Sequence, residues 1–335
     1  MDRDRRPGSF LLTGSANMLL LPRLSESLAG RMEVHTLWPL SQGELEGVRE
    51  GFVDAAFSGG APQPFLEAEH PPRLFERVLR GGFPEVVGRE SPARRRAWFD
   101  SYVTTILQRD VRDLANIERL TEMPRLLSLL AARAASLLSY SDLSRAAAMP
   151  QSTLKRYPAL LETVFLMQTI PAWSAHLGKR LVKIPEVDPL RHRPRGAPTG
   201  APAGRGRTEA LHRAVLADPL LENFVAMELK KQITWSETRP NLYHFRIQAG
   251  REVDLVLEDD AGRLVGVEVK SAATASAGDF RGLRTLADTT GDRFRRGILL
   301  YTGRESVPFG EKMHALPVSS LWRWNATPHR EAAQR

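Results

Sequence analysis

Residues 251–270 read Arg-Glu-Val-Asp-Leu-Val-Leu-Glu-Asp-Asp-Ala-Gly-Arg-Leu-Val-Gly-Val-Glu-Val-Lys, two apolar β-type runs on either side of an acidic, glycine-containing turn. A strand alternates its side chains across the sheet, so Glu268 and Lys270 share one face and Val267 and Val269 the other. A hairpin at the turn brings Asp254 beside Glu268 and Lys270. Two carboxylates and an ammonium on one sheet surface can hold a divalent metal and a water, the working parts of metal-dependent phosphodiester hydrolysis. On this reading Asp254 and Glu268 bind Mg2+, and Lys270 orients or deprotonates the attacking water. A plainer reading stays open, in which Glu and Lys pair across an exposed sheet face for ~0.2–1 kcal/mol and do no chemistry.

The rest of the composition sets the frame. The chain has 335 residues, room for two or three domains, with 42% hydrophobic and 26% charged residues as in ordinary globular proteins. It contains no cysteine, which excludes disulfides and thiolate metal sites and leaves carboxylate or imidazole for any metal. The charged N-terminus is followed by no signal-peptide core, and no apolar run approaches the ~20 residues needed to span a bilayer. The expectation is a cytoplasmic protein with no membrane partner. A net charge of +8 points to a polyanion such as DNA, but its placement tempers that. Within 187–213, six arginines (191, 193, 195, 205, 207 and 213) stand against Asp188 and Glu209, a net +4 and half of the total. That tract is rich in Pro, Gly and Ala without apolar periodicity and reads as a disordered linker.

Along the chain, Phe10–Ser15 reads as a short buried strand, 16–28 as a Leu-rich helix stopped at Gly30, Met32–Leu37 as a second strand, and Pro39 as the opening of a helix. One strand–helix–strand unit cannot cover both faces of a parallel sheet, so the first fifty residues read as a piece of a domain. Residues 65–180 are mostly helical, with Phe99, Val103, Ile106, Leu107, Val111 and Leu114 forming one apolar stripe. A short helix at 141–148, a turn at Pro150-Gln151-Ser152, a helix at 152–163 carrying Lys155 and Arg156, and a strand at Val164–Ile170 give the layout of a winged helix-turn-helix. Both DNA contact and plain helical packing fit that layout.

From about residue 216 the pattern becomes α/β. A helix is expected at Pro219–Gln232, strands at Leu242–Ile247, Glu252–Leu257, Leu264–Val269 and Gly297–Tyr301, and a helix at Asp279–Ala287 with Asp279 as N-cap. Glu222 on the first of these helices is a candidate further carboxylate for the Asp254 site. Glu228, six residues on, is its alternate and lies on a different helix face. His244 and Arg246 share a face of their strand and fit either phosphate contact or a solvated edge. The eight histidines show no metal-ligand spacing, and no Ser-His-Asp arrangement has supporting context. Gly81-Gly82-Phe83-Pro84 is a turn with no phosphate-loop Lys after it. Trp98, Tyr102 and Trp173 occupy apolar positions and read as core.

Three segments carry a resemblance. They are Leu-Thr-Gly-Ser-Ala at 12–16 with Ser-Leu-Ala-Gly-Arg at 27–31, Gln-Arg-Asp-Val-Arg-Asp-Leu at 108–114, and Leu-Glu-Asn-Phe-Val-Ala-Met-Glu-Leu at 221–229 with Asp254 and Glu268-x-Lys270 behind it. In order and spacing the chain resembles the prokaryotic AAA-type ATPases that end in a domain of unknown function. That resemblance implies α/β plus α architecture: a partial AAA-type fragment (1–50), a helical region with a winged helix (51–186), the linker (187–215), a PD-(D/E)xK nuclease-like α/β domain (216–325) and a tail (326–335).

Two departures from the family are plain. No G-x-x-x-x-G-K-[ST] occurs, and no apolar run ending in a Walker-B acidic pair precedes Leu12, so ATP, the cofactor of full-length relatives, is not expected to bind here. Thr13, Ser15 and Arg31 then read as remnants of a nucleotide site with a structural role, in a chain that begins partway through its ATPase domain. After Lys183-Ile184-Pro185 the family pattern gives way to the 187–213 tract and resumes near Leu216. A local shift of reading frame in a GC-rich gene would produce that patch, and an intact frame at the locus would sink the idea. The resulting expectation is a nucleic-acid-associated protein without ATPase activity. The alternatives are a Mg2+-dependent DNA endonuclease using Asp254, Glu268, Lys270 and Glu222, and a catalytically inert module with a protein partner.

Overall fold

The computed structural model describes residues 10–17, 32–60, 62, 69–111, 122–133, 135, 139–174, 182–187, 218–247 and 250–325. Most of the helix expected at 16–28, and Arg31, Leu114, the tract of 187–213 beyond Val187 and the tail 326–335, lie outside these residues. Among the described residues no helix is long and apolar enough to cross a membrane.

A six-stranded sheet organises the C-terminal body. Its strands are β3 (Asn241–Arg246), β4 (Glu252–Glu258), β5 (Leu264–Lys270), β6 (Phe294–Tyr301), β7 (Val307–Pro308) and β8 (Met313–Pro317), in the order β3-β4-β5-β6-β8-β7. Pairing is antiparallel from β3 to β5 and between β7 and β8, and parallel from β5 through β6 to β8. The central strands β5 and β6 are buried on both faces, which explains their near-continuous Val, Leu and Ile. Leu255, Leu257, Val265, Val267 and Val269 face α9 (Asp218–Ile233), whose Leu221, Phe224, Val225 and Leu229 close that side. Val256, Leu264 and Leu299 face the other way, onto Leu283 and Leu286 of α10 (Arg281–Thr290).

The roof over the α9 side is completed from far upstream. Phe52, Val53 and Phe57 of α2 (Phe52–Phe57) and Leu74, Phe75 and Val78 of α3 (Pro71–Arg80) share its core, as does Trp322 of α11 (Ser320–Arg323). The preceding α1 (Gln42–Glu46) starts at Ser41, which forms a reciprocal capping box with Glu44, and stops at Gly47 in the left-handed region at φ 68°. Arg77 ties α1, α3 and α11 together. It donates to Glu69 at 2.6 Å and to Gln42 at 3.1 Å, pairs with Glu46, and lies 5.0 Å over the Trp322 ring.

Between α3 and α9 the chain builds a second core. The end of α5 (Pro92–Ile106), a π-helical turn at Leu107–Val111, α6 (Met123–Ala131), α7 (Tyr140–Ala147) and α8 (Gln151–Thr163) enclose Val103, Ile106, Leu126, Leu130, Leu143, Leu154 and Leu161. Ser139 caps α7, and Ala148 in the left-handed region at φ 56° turns the chain into α8. After α8 come β1 (Met167–Pro171) and β2 (Val182–Val187), paired antiparallel. The strand expected at Val164–Ile170 starts three residues late, because Val164–Leu166 form the turn that closes α8. This unit abuts the sheet edge, where Ala172 bridges His244 and the Trp173 amide donates to the His244 carbonyl at 2.6 Å.

The strands expected at Phe10–Ser15 and Met32–Leu37 do not form. Strands exist only as ladders, and among the described residues neither segment has one beside it. Phe10, Leu11 and Leu12 are 64%, 91% and 57% exposed.

Gly81-Gly82 has a structural role. Leu40 N donates to the Gly82 carbonyl at 2.9 Å, and a Cβ on Gly82 would stand 1.9 Å from Leu40 O. Short α4 (Pro84–Val87) follows directly. Gly82→Ala is expected to lose about 1–3 kcal/mol or more of stability in denaturant titrations, and an unchanged midpoint would show that this contact is slack.

Candidate metal centre

The β3–β4 pairing carries an irregularity at the point where the chemistry gathers. Tyr243 opposes Val256 and Phe245 opposes Val253, so two steps on β3 match three on β4 and the extra residue falls at Asp254–Leu255. The β4–β5 ladder stops at Leu255 opposite Val267. A bulge of this kind turns side chains away from the regular alternation. Here the Asp254 carboxylate takes the place of the missing ladder acceptor, and Oδ2 accepts from the Val269 amide at 2.8 Å.

Glu268 and Lys270 lie on the α10 side of β5, two and four residues beyond Gly266, on which Leu283 and Leu286 close. Asp254 and Glu268 act on each other directly, and both feel Lys270 and Glu252. Burial pushes Asp254 up to about 7; its bond to the Val269 amide and Lys270 work against that, while Glu252 and Asp218 add to it. Burial pushes Glu268 higher, to about 9, with Asp254 adding to the rise and Lys270 opposing it. Glu268 Oε2 is buried and has no hydrogen-bond partner. Such an oxygen calls for a proton or a cation.

Helix α9 supplies the surrounding support. Asp218 at its first turn accepts from both the amide and the hydroxyl of Ser271 at 2.8 Å, fixing the chain immediately after Lys270. Sequence reading passed over Asp218 because an Asp before Pro at a helix start looks like an ordinary cap. Glu222 lies half-buried one turn further along, on the same helix face as Asp218. Glu228 is taken elsewhere, as Oε1 accepts from Lys231 at 2.5 Å and Oε2 from the Gln42 amide at 2.9 Å. His244 is buried at the bulge, whereas Arg246 is exposed and pairs with Glu252 at 3.4 Å on the surface.

Among the described residues no three His, Asp or Glu side chains converge as a ready-made metal cage. A cation placed here would find two carboxylates, Asp254 and Glu268. That suits Mg2+, which keeps most of its waters and binds through one or two carboxylates, better than Zn2+, which takes three or four protein ligands.

Comparison with known families gives three matches in chain order. Residues 1–46 match an AAA domain, 71–187 a domain of unknown function (DUF8612), and 217–321 another (DUF4143). Uncharacterized proteins of Mycobacterium bovis and Mycobacterium tuberculosis are each 30% identical over 327 residues, covering 96% of this chain and 64% of theirs. The chain thus spans about 64% of the length of these relatives. No solved structure matches it. The chain is therefore similar to proteins of an AAA-type ATPase family, through an AAA-domain segment at its start and DUF4143 at its end.

Proposed function

We propose that the C-terminal body is a PD-(D/E)xK-like metal-dependent nuclease domain acting on DNA. The observation that carries this reading is Glu268 Oε2, a buried carboxylate oxygen without a hydrogen-bond partner, beside the half-buried carboxylate of Asp254 and an ammonium. An inert salt-bridged sheet face would satisfy its acids with its bases at the surface. This one half-buries two acids and leaves one oxygen of Glu268 out of contact with both water and a donor. Asp254 and Glu268 would hold Mg2+, with Glu222 adding a carboxylate through water. The bound cation would supply a more acidic water and offset charge developing on the phosphoryl oxygens. Lys270 Nζ orients the attacking water or takes its proton. Asp218, through Ser271, keeps Lys270 from swinging out of register.

The helical unit fits the same role. Gln151, Ser152, Lys155 and Arg156 are exposed on α8, and the β1–β2 ribbon follows as a wing would. Without a phosphate-binding loop in this chain, the reading includes no ATP binding or hydrolysis. It places the protein in the cytoplasm, with DNA as substrate.

The test is supercoiled plasmid incubated with the protein and Mg2+ or Mn2+. Nicking is expected, with Asp254→Ala and Glu268→Ala each lowering it by roughly two orders of magnitude or more. Nicking that survives both substitutions overturns the assignment. A wild type that never nicks leaves an interaction module with a protein partner.

A further inference from the structure

We infer that Arg251, Arg281 and Arg284 form a rim that positions the DNA backbone beside the carboxylate pair; this rests on the nuclease reading above. All three side chains are exposed, and among the described residues none is paired with an acid. Arg251 Nη1 donates to Thr285 Oγ1 at 3.1 Å, Arg281 Nε to the Gly278 carbonyl at 3.0 Å, and Arg284 Nη1 to the Ala277 carbonyl at 2.9 Å. Four other arginines of the α/β body end on carboxylates, Arg77 on Glu69, Arg246 on Glu252, Arg263 on Asp259 and Arg293 on Glu258, while Arg295 and Arg296 reach back to the carbonyls of Phe57, Ser58 and Gly60, away from this corner. In the rim each guanidinium spends one nitrogen on a neutral anchor and presents the remainder of its donor fork to solvent. An anchored guanidinium with free donors suits a phosphate.

The backbone fixes where the rim stands. Gly282 packs so closely on the start of β4 that a Cβ there would lie 1.9 Å from Glu252 O, and Leu283 and Leu286 close over Gly266 of β5. The first turn of α10 is therefore locked to the corner of the sheet where β4 begins. Arg251 stands three residues before Asp254, and Arg281 and Arg284 stand on the helix covering the face that carries Glu268 and Lys270. Two acids at this corner are already engaged. Asp279 accepts from the Ser276 amide and hydroxyl, and Glu252 pairs with Arg246. A DNA backbone crossing the rim would set a phosphodiester against the two carboxylates without any reading of sequence.

Binding of a labelled DNA duplex, followed by anisotropy across a salt series with Ca2+ in place of Mg2+, tests the rim. The variant R251A/R281A/R284A is expected to bind on the order of 10–100-fold more weakly at low salt. Its slope of log affinity against log salt should flatten by about 2–3. R251K/R281K/R284K keeps most of that slope, and R89A/R94A/R96A, a charge-matched change at and just before the start of α5, leaves more of the affinity. Should the triple alanine variant fail to fold, R281E alone carries the same expectation. A wild type that nicks plasmid, together with rim variants that bind and nick as it does, overturns the rim and leaves the carboxylate reading standing. A wild type that neither binds nor nicks overturns both.

Discussion

Replacing Lys231 with Met is expected to remove about 3–5 kcal/mol of folding stability, because it strands a buried carboxylate. Lys231 is 5% exposed and Glu228 1%. Lys231 Nζ bonds Glu228 Oε1 at 2.5 Å and the Leu40 carbonyl at 3.1 Å, while Glu228 Oε2 receives the Gln42 amide. Glu50 stands against the same pair. Its Oε1 accepts from the Gly43 amide at 2.8 Å, and burial pushes it up to about 7, with Ser41 holding it down, Glu228 raising it further and Lys231 restraining it. Without Lys231, two carboxylates confront each other in the interior, and one of them must take up a proton. Adding Glu228→Gln removes the charge but keeps an acceptor, so E228Q/K231M should recover most of the loss. A double-mutant cycle from urea titrations measures the coupling. A single K231M variant within about 1 kcal/mol of wild type would mean that the interior is wetter here than the packing implies.

The second large effect is one of pH. Free Asp and Glu titrate near 3.9 and 4.3. In the folded protein Asp254 and Glu268 hold their protons to about 7 and about 9. Between those limits the folded state binds more protons than the unfolded one, so the pair's contribution to stability is complete at low pH and disappears as pH rises. The loss is up to about 1.4 kcal/mol per pH unit for each extra proton held. Melting in chelator should therefore fall from pH 5 to 9, and Glu268→Gln should flatten much of that fall. If the pair is a metal site, a divalent cation takes the proton's place, and Mg2+ or Mn2+ should raise the melting temperature more at pH 8 than at pH 5.5. At a hundred times its dissociation constant the gain is about 2.7 kcal/mol. A cation effect that is equal at both pH values, or unchanged in Glu268→Gln, would remove the case for this metal centre.

The elements around the site were legible because each declares itself locally. Two alternating runs joined at an acidic-Gly turn gave β4 and β5 nearly to the residue, and the Leu- and Phe-rich stretch after Asp218 gave α9. Helix α10 shows the limit of local signals. Ser276 and Asp279 cap each other across a single 3-10 turn, so the α-helix begins at Arg281, two residues after the expected cap. The turn of Asp254 toward Val269 was not legible, because the bulge arises from how β3 and β4 come into register. Glu228 read only as an alternate to Glu222, and nothing local marks its pairing with Lys231. Only contact with Leu40 and Gln42, nearly two hundred residues away, makes that pair part of the interior.

The roof that α2 and α3 lay over the sheet has a bearing on how such a chain is inherited. Residues 217–321 match one family segment, yet Phe52, Phe57 and Leu74 upstream share the apolar core on the α9 side of their sheet. A recombination that carried only the later segment into a new gene would deliver a sheet with part of that face bare to water. A viable cut must bring residues 39–80 along, and with them the helical unit threaded between. Residues 39–80 and the sheet are then one packing unit, interrupted in sequence by the helical unit between them.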